Sequence, residues 1–259
     1  PTPLHNQYFI LRWDFSRVAA FGNLHDIQRS LYNEINGSIE IFNAQYAAFL
    51  PRPIVLNEQD AIRSFVSLLA AIQTQPYKLY LLIDEYDNFA NEIAFSDTRE
   101  AIERFNALTQ TDGLVKSLFK AIKGAIGMGV LERVFITGVS PMLLADITSG
   151  FNIAQDITHL PEFHDLCGFR ETEVADALRQ VITDCSMSET QFTDALDPMR
   201  RFYDGYTFHQ NAKYRLYNPT LALYFLHRLA VACEYPENML DINLSLDQAK
   251  LAYMARRAG

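Results

Sequence analysis

The spacing of apolar residues changes several times along the chain, and each change marks an element. Tyr8 to Phe15 is rich in aromatic and branched residues and stops at Asp14-Phe15-Ser16, which predicts a buried strand ending in a polar loop. From Leu24 to Leu50 apolar residues recur at three and four (Ile27, Leu31, Ile35, Ile39, Phe42), so a helix is expected, stopped by Pro51 and Pro53. Gln59 to Ala71 repeats the pattern and predicts a second helix. After Pro76 comes Leu79-Tyr80-Leu81-Leu82-Ile83, a continuous apolar run followed at once by Asp84-Glu85-Tyr86-Asp87, as in a buried parallel strand. Thr98 to Met128 reads as helix broken near Thr111-Asp112-Gly113, and Arg133 to Gly138 as another short buried strand.

Strand and helix thus alternate, which predicts right-handed crossovers and an α/β fold built on a doubly wound parallel sheet. The ligand crevice of such a sheet lies beyond the carboxyl ends of its strands. Three acidic or hydroxyl clusters fall there: Asp14-Phe15-Ser16, Asp84-Glu85, and Thr137 with Ser140. Beyond about Leu160 the pattern becomes mainly helical, with amphipathic stretches at Glu171 to Thr183, Glu189 to Arg201 and Asn218 to Ala232. A tyrosine-rich patch, Tyr203-Asp204-Gly205-Tyr206 and then Tyr214 to Pro219, predicts a small hairpin with its turn near Asn211-Ala212. Two domains follow: an α/β core over residues 1–155 and a mainly helical subdomain over 156–259.

Composition narrows the function. A chain of 259 residues with 49% hydrophobic residues can bury a substantial core, and a formal net charge of −9 offers no general attraction to nucleic acid or to anionic lipid. No apolar run approaches the roughly 18 residues of a membrane span. Cys167, Cys185 and Cys233 are far apart without CxxC spacing, so neither a disulfide framework nor a zinc site is expected, and a reducing, intracellular compartment is.

The segment from Leu79 to Asp87 carries the most chemistry. Strand alternation puts Asp84 and Glu85 on opposite faces at a carboxyl tip. In a P-loop NTPase the first such carboxylate orients Mg²⁺ and the second polarises the attacking water. The same four residues also fit a solvated loop that caps a helix. Thr137, and with it Ser140, stands where a hydroxyl would sense a γ-phosphate or hold the water; an ordinary turn before Pro141 needs the same residues. No G-x-x-x-x-G-K-[ST] occurs between Pro1 and Gly259, and the glycines at Gly124, Gly127 and Gly129 read as a helix end. His159, His164 and Asp165 have a possible metal spacing, but Pro161 keeps the histidines off one regular helix face. Aromatics alternating along a hairpin most often pack a core.

Five motifs in order resemble one family. Leu-Ile-Asp-Glu-Tyr-Asp at 82–87, Phe-Ile-Thr-Gly-Val-Ser-Pro at 135–141, Ile147 to Asn152, Tyr-Asp-Gly-Tyr at Tyr203 and Tyr-Asn-Pro at Tyr217 resemble the AAA-ATPase-like family, P-loop proteins often joined to a PD-(D/E)XK nuclease-like domain. The resemblance implies a partial P-loop NTPase-like core with a C-terminal helical lid, binding ATP and Mg²⁺. Asp84 and Glu85 look like the Walker B pair, with Asp84 on the metal and Glu85 as base. Thr137 resembles the sensor position, and Phe9 to Ser16 looks like the strand and loop that follow the Walker A region. The family's phosphate loop would lie upstream of Pro1, so the chain is expected to be a fragment, inactive alone, whose parent hydrolyses Mg-ATP to drive a conformational switch. A non-catalytic module on a degenerate P-loop scaffold, docking a protein partner or a second copy of itself, is the alternative.

Overall fold

The computed structural model describes residues 3–88, 93, 103, 105–108, 113–138 and 154–239. The chain divides into two compact units, Pro1–Ala154 and Gln155–Gly259.

In the first unit, β1 (Tyr8–Asp14) runs into a single 3₁₀ turn at Phe15–Arg17, followed by α1 (Leu24–Tyr46) and a second 3₁₀ turn at Ala47–Phe49. Then come α2 (Ala61–Ile72), β2 (Lys78–Asp84), α3 (Leu114–Gly127) and β3 (Leu131–Ile136). Helix α1 starts in a reciprocal cap, in which Asn23 Oδ1 accepts from the Asp26 backbone N–H at 3.1 Å and Asp26 Oδ2 accepts from that of Asn23 at 3.2 Å. Asp60 caps α2 through the Arg63 N–H. The part of the expected third helical region before residue 113, and the Ile147 to Asn152 motif, lie largely or wholly outside the described residues.

The strands form one parallel sheet in the order β1-β2-β3, with Leu11 opposite Leu81 and Leu81 opposite Val134. A bulge after Leu79 restores the match between β2 and β3. Because the strand order follows the chain, right-handed crossovers carry the connecting helices to one face. That face holds Phe9, Leu11, Trp13, Leu79, Leu81 and Ile83, all buried against α1, α2 and α3. The opposite face carries Ile10, Arg12, Tyr80, Leu82, Arg133 and Phe135, which are exposed or half-buried. The apolar run of β2 is therefore deeply buried on alternate residues only.

The second unit contains α4 (Glu171–Asp184), α5 (Glu189–Tyr203), the strands β4 (Asp204–Tyr206) and β5 (Leu216–Tyr217), and α6 (Pro219–Ala232). β4 and β5 pair antiparallel, as the tyrosine-rich pattern predicts. Tyr203 and Tyr217 are buried with Val174, Leu178, Met199, Phe225 and Leu229, whereas Tyr206 and Tyr214 stay exposed. The patch thus divides between core and surface.

The expectation of unpaired cysteines is overturned here. Cys185 follows α4 and Cys233 follows α6, and the two form a disulfide with Cα atoms 5.4 Å apart. Sequence spacing could not reveal the pair, because it depends on α4 and α6 ending side by side. The bridge closes a loop of 48 residues, for which chain entropy gives about 4 kcal/mol as the ceiling on its stabilisation. Reductant should lower the stability of this unit by up to that amount, read as a fall in the urea midpoint of the chain with and without dithiothreitol; Cys185→Ser should show the same fall and no further response to reductant.

Candidate functional site

The tips of β1 and β2 meet because the strands are paired in register through their last residues, Asp14 opposite Asp84. Asp14 leaves the strand by capping the following turn: its Oδ1 accepts from the Ser16 hydroxyl at 2.6 Å and from the Ser16 backbone N–H at 3.2 Å. The Ser16 hydroxyl is the main reason the Asp14 carboxyl titrates below its ordinary range. Burial opposes it, and the Ser16 N–H, Arg12 and Arg17 add to it. Glu34, half-buried on α1, moves the other way, since desolvation raises it more than Arg17 lowers it.

Asp84 is held on both oxygens. Thr137 Oγ1 donates to Oδ1 at 2.6 Å, and Arg12 Nη2 donates to Oδ2 at 2.9 Å. Thr137 is itself fixed by the backbone: its N–H donates to Ile83 O at 2.8 Å and its carbonyl accepts from the Tyr86 N–H at 3.1 Å, which prolongs the β2–β3 ladder past Ile136. Arg12 also stands 4.0 Å from Asp14.

Glu85 departs from the sequence expectation. Strand β2 ends at Asp84, and Glu85 has φ +53°, a left-handed conformation that a non-glycine residue adopts at a cost. Alternation along the strand therefore no longer fixes the face on which its carboxylate lies. The turn is completed by the Asn88 N–H donating to Glu85 O at 3.0 Å, and it sends Tyr86 and Asp87 into the interior. Gly138 lies against them so closely that an added Cβ would collide with the Tyr86 ring and the Asp87 carboxylate.

Of the residues singled out in the sequence, Asp84 and Thr137 are thus in direct contact, Glu85 is next to them in the turn, and Ser140 lies outside the described residues. Arg12 was missed. Its signal was present: a lone cation in an apolar strand, two positions before Asp14 and so on the same face. Asp84 and Asp14, with the hydroxyls of Thr137 and Ser16, offer hard oxygen donors of the kind Mg²⁺ prefers. Among the described residues no group of three or more His, Cys, Asp or Glu is gathered as a metal cage.

In the second unit His159 and His164 bind backbone. His159 Nδ1 lies 2.7 Å from Phe208 O; His164 Nδ1 accepts from the Phe208 N–H at 3.3 Å, which leaves Nε2 to donate to Tyr214 O at 3.0 Å. Asp165 pairs with Arg170 and accepts from Tyr214 Oη at 3.1 Å. These contacts hold the segment between β4 and β5 in place.

In an open parallel α/β sheet ligands bind beyond the carboxyl ends of the strands, and that is where these acidic and hydroxyl side chains are joined. A family model described as predicted AAA-ATPase matches residues 1–148, and the chain belongs to this AAA-ATPase-like family. No curated protein and no solved structure matches it. No helix among the described residues is long and apolar enough to cross a membrane.

Two outcomes follow from this geometry. Ser16→Ala should raise the Asp14 carboxyl back toward its ordinary range, followed by carbon-detected NMR titration. Because the folded-state value is depressed, Asp14 stabilises the fold above its unfolded value and loses that contribution as pH falls through the folded one; Ser16→Ala should shrink this acid-side loss. Gly138→Ala should destabilise the first unit by roughly 1–3 kcal/mol, measured by the fluorescence of the single tryptophan, Trp13, in urea.

Proposed function

We propose that this chain is the Walker B and sensor part of an ATPase whose parent binds and hydrolyses Mg-ATP to drive a conformational switch. The observation that carries the reading is the 2.6 Å contact between Asp84 and Thr137 at adjacent strand tips, in a chain of this family. In this reading Asp84 holds the metal, Glu85 is the general base, and Thr137 with Ser140 orients the water or senses the terminal phosphate. When bound, Mg²⁺ neutralises charge developing on the phosphoryl oxygens. The residues Gln155–Gly259 act as the helical lid. In this reading the three parallel strands form part of a doubly wound sheet, a phosphate-loop strand pairs at one of its edges, and the following helix covers the face carrying Ile10, Tyr80 and Phe135.

No G-x-x-x-x-G-K-[ST] pattern occurs in these 259 residues, so in this reading the parent supplies the backbone cradle and its lysine from elsewhere, and the chain by itself turns over no ATP. A second reading, a protein-docking module that no longer hydrolyses ATP, draws support from Asp84 having both oxygens engaged by protein groups.

ATP turnover separates the two. The isolated chain should release no phosphate above background. A longer protein that carries a phosphate loop ahead of Pro1 should turn over, and Glu85→Gln should lower its rate by roughly 10²-fold or more. A longer protein that ignores Mg-ATP would leave the docking reading standing.

A further inference from the structure

Asp14 and Asp84 are register partners on neighbouring parallel strands, so their side chains leave the same face of the sheet side by side. Two carboxylates so placed repel unless a cation stands between them. Arg12 supplies that cation from within the sheet. It lies on the same face, and its Nη2 is 2.9 Å from Asp84 Oδ2 and 4.0 Å from Asp14 Oδ2. The other oxygen of Asp84 is taken by Thr137. A divalent ion approaching Asp84 therefore meets a carboxylate whose open side is already neutralised.

From this we propose that Arg12 is a resident counter-cation that latches Asp84 closed, and that metal binding at this tip requires Arg12 to be displaced. The inference rests on the reading of Asp84 as the metal-holding residue. Displacement is inexpensive: the Arg12 side chain is 60% exposed and that of Asp84 43%, and an exposed ion pair is held weakly. Arg17, 3.9 Å from Asp14, remains beside Asp14 when Arg12 swings away, so opening the latch leaves one carboxylate compensated and frees the other. Arg12 is thus a positioning residue. It keeps the Asp84 carboxylate aligned with Thr137 while the site is empty and competes with the ion when it arrives.

Mn²⁺ is the probe, because a bound paramagnetic ion broadens nearby amide signals without any need for turnover. The Mn²⁺ concentration that half-broadens the Thr137 amide is measured for the 259-residue chain, Arg12→Gln, Asp84→Asn and the double variant. The latch predicts that Arg12→Gln lowers this concentration by about fivefold and that Asp84→Asn abolishes the gain. No change in Arg12→Gln, with weaker binding in Asp84→Asn, overturns the latch and leaves Asp84 as the metal residue. No effect of Asp84→Asn in either background overturns the metal reading and the latch with it. A gain in Arg12→Gln that survives Asp84→Asn puts the ion on other groups and also overturns the latch.

Discussion

Strand pairing sets two carboxylates side by side, and that placement organises this end of the sheet. Parallel register makes Asp14 and Asp84 neighbours, and the surrounding groups answer that placement. Ser16 ties Asp14 into the turn that ends β1, Thr137 ties Asp84 to the prolonged β3, and Arg12 lies against Asp84 within 4.0 Å of Asp14. Each contact is exposed and weak alone. Together they fix the directions of five side chains at three strand ends without burying a charge.

The backbone beyond β2 is arranged to the same end. The left-handed residue Glu85 stops the strand abruptly, so that Tyr86 and Asp87 turn inward and Gly138 of the neighbouring segment can close over them. A side chain at 138 would hold the two tips apart. Local strain at Glu85 and the missing side chain at Gly138 are thus two sides of one tight junction, and it supports Thr137 from below.

Much of this was legible in the sequence because periodicity reports burial. Short apolar runs, alternating with stretches whose apolar residues recur at three and four, marked β1, α1, α2, β2 and β3 to within a few residues, and acidic residues directly after apolar runs marked the strand tips. What was not legible depends on neighbours in space. The left-handed turn at Glu85 carries no glycine or asparagine to announce it. Arg12 acquires its role only through the register with β2, since nothing within β1 says that Asp84 lies beside it. The Cys185–Cys233 pair is of the same kind, created by two helix ends that pack together. The one-sided burial of the sheet follows from strand order, which a single strand's pattern does not encode.

The distance along the chain between Arg12 and Asp84, 72 positions, also governs when the site can exist. As the polypeptide emerges from the ribosome at roughly 5–20 residues per second, β1 waits several seconds for its partner. During that interval its apolar residues Phe9, Leu11 and Trp13 have only the helices α1 and α2, which precede β2 in the chain, to shelter them. Closure of so long a loop makes sheet pairing a slow, non-local step, so helices precede it and the carboxylate cluster is completed late in folding. An intermediate stalled before β2 pairs would expose an unpaired strand edge, the feature most prone to intermolecular association. The candidate site and this exposed strand edge therefore share a single cause.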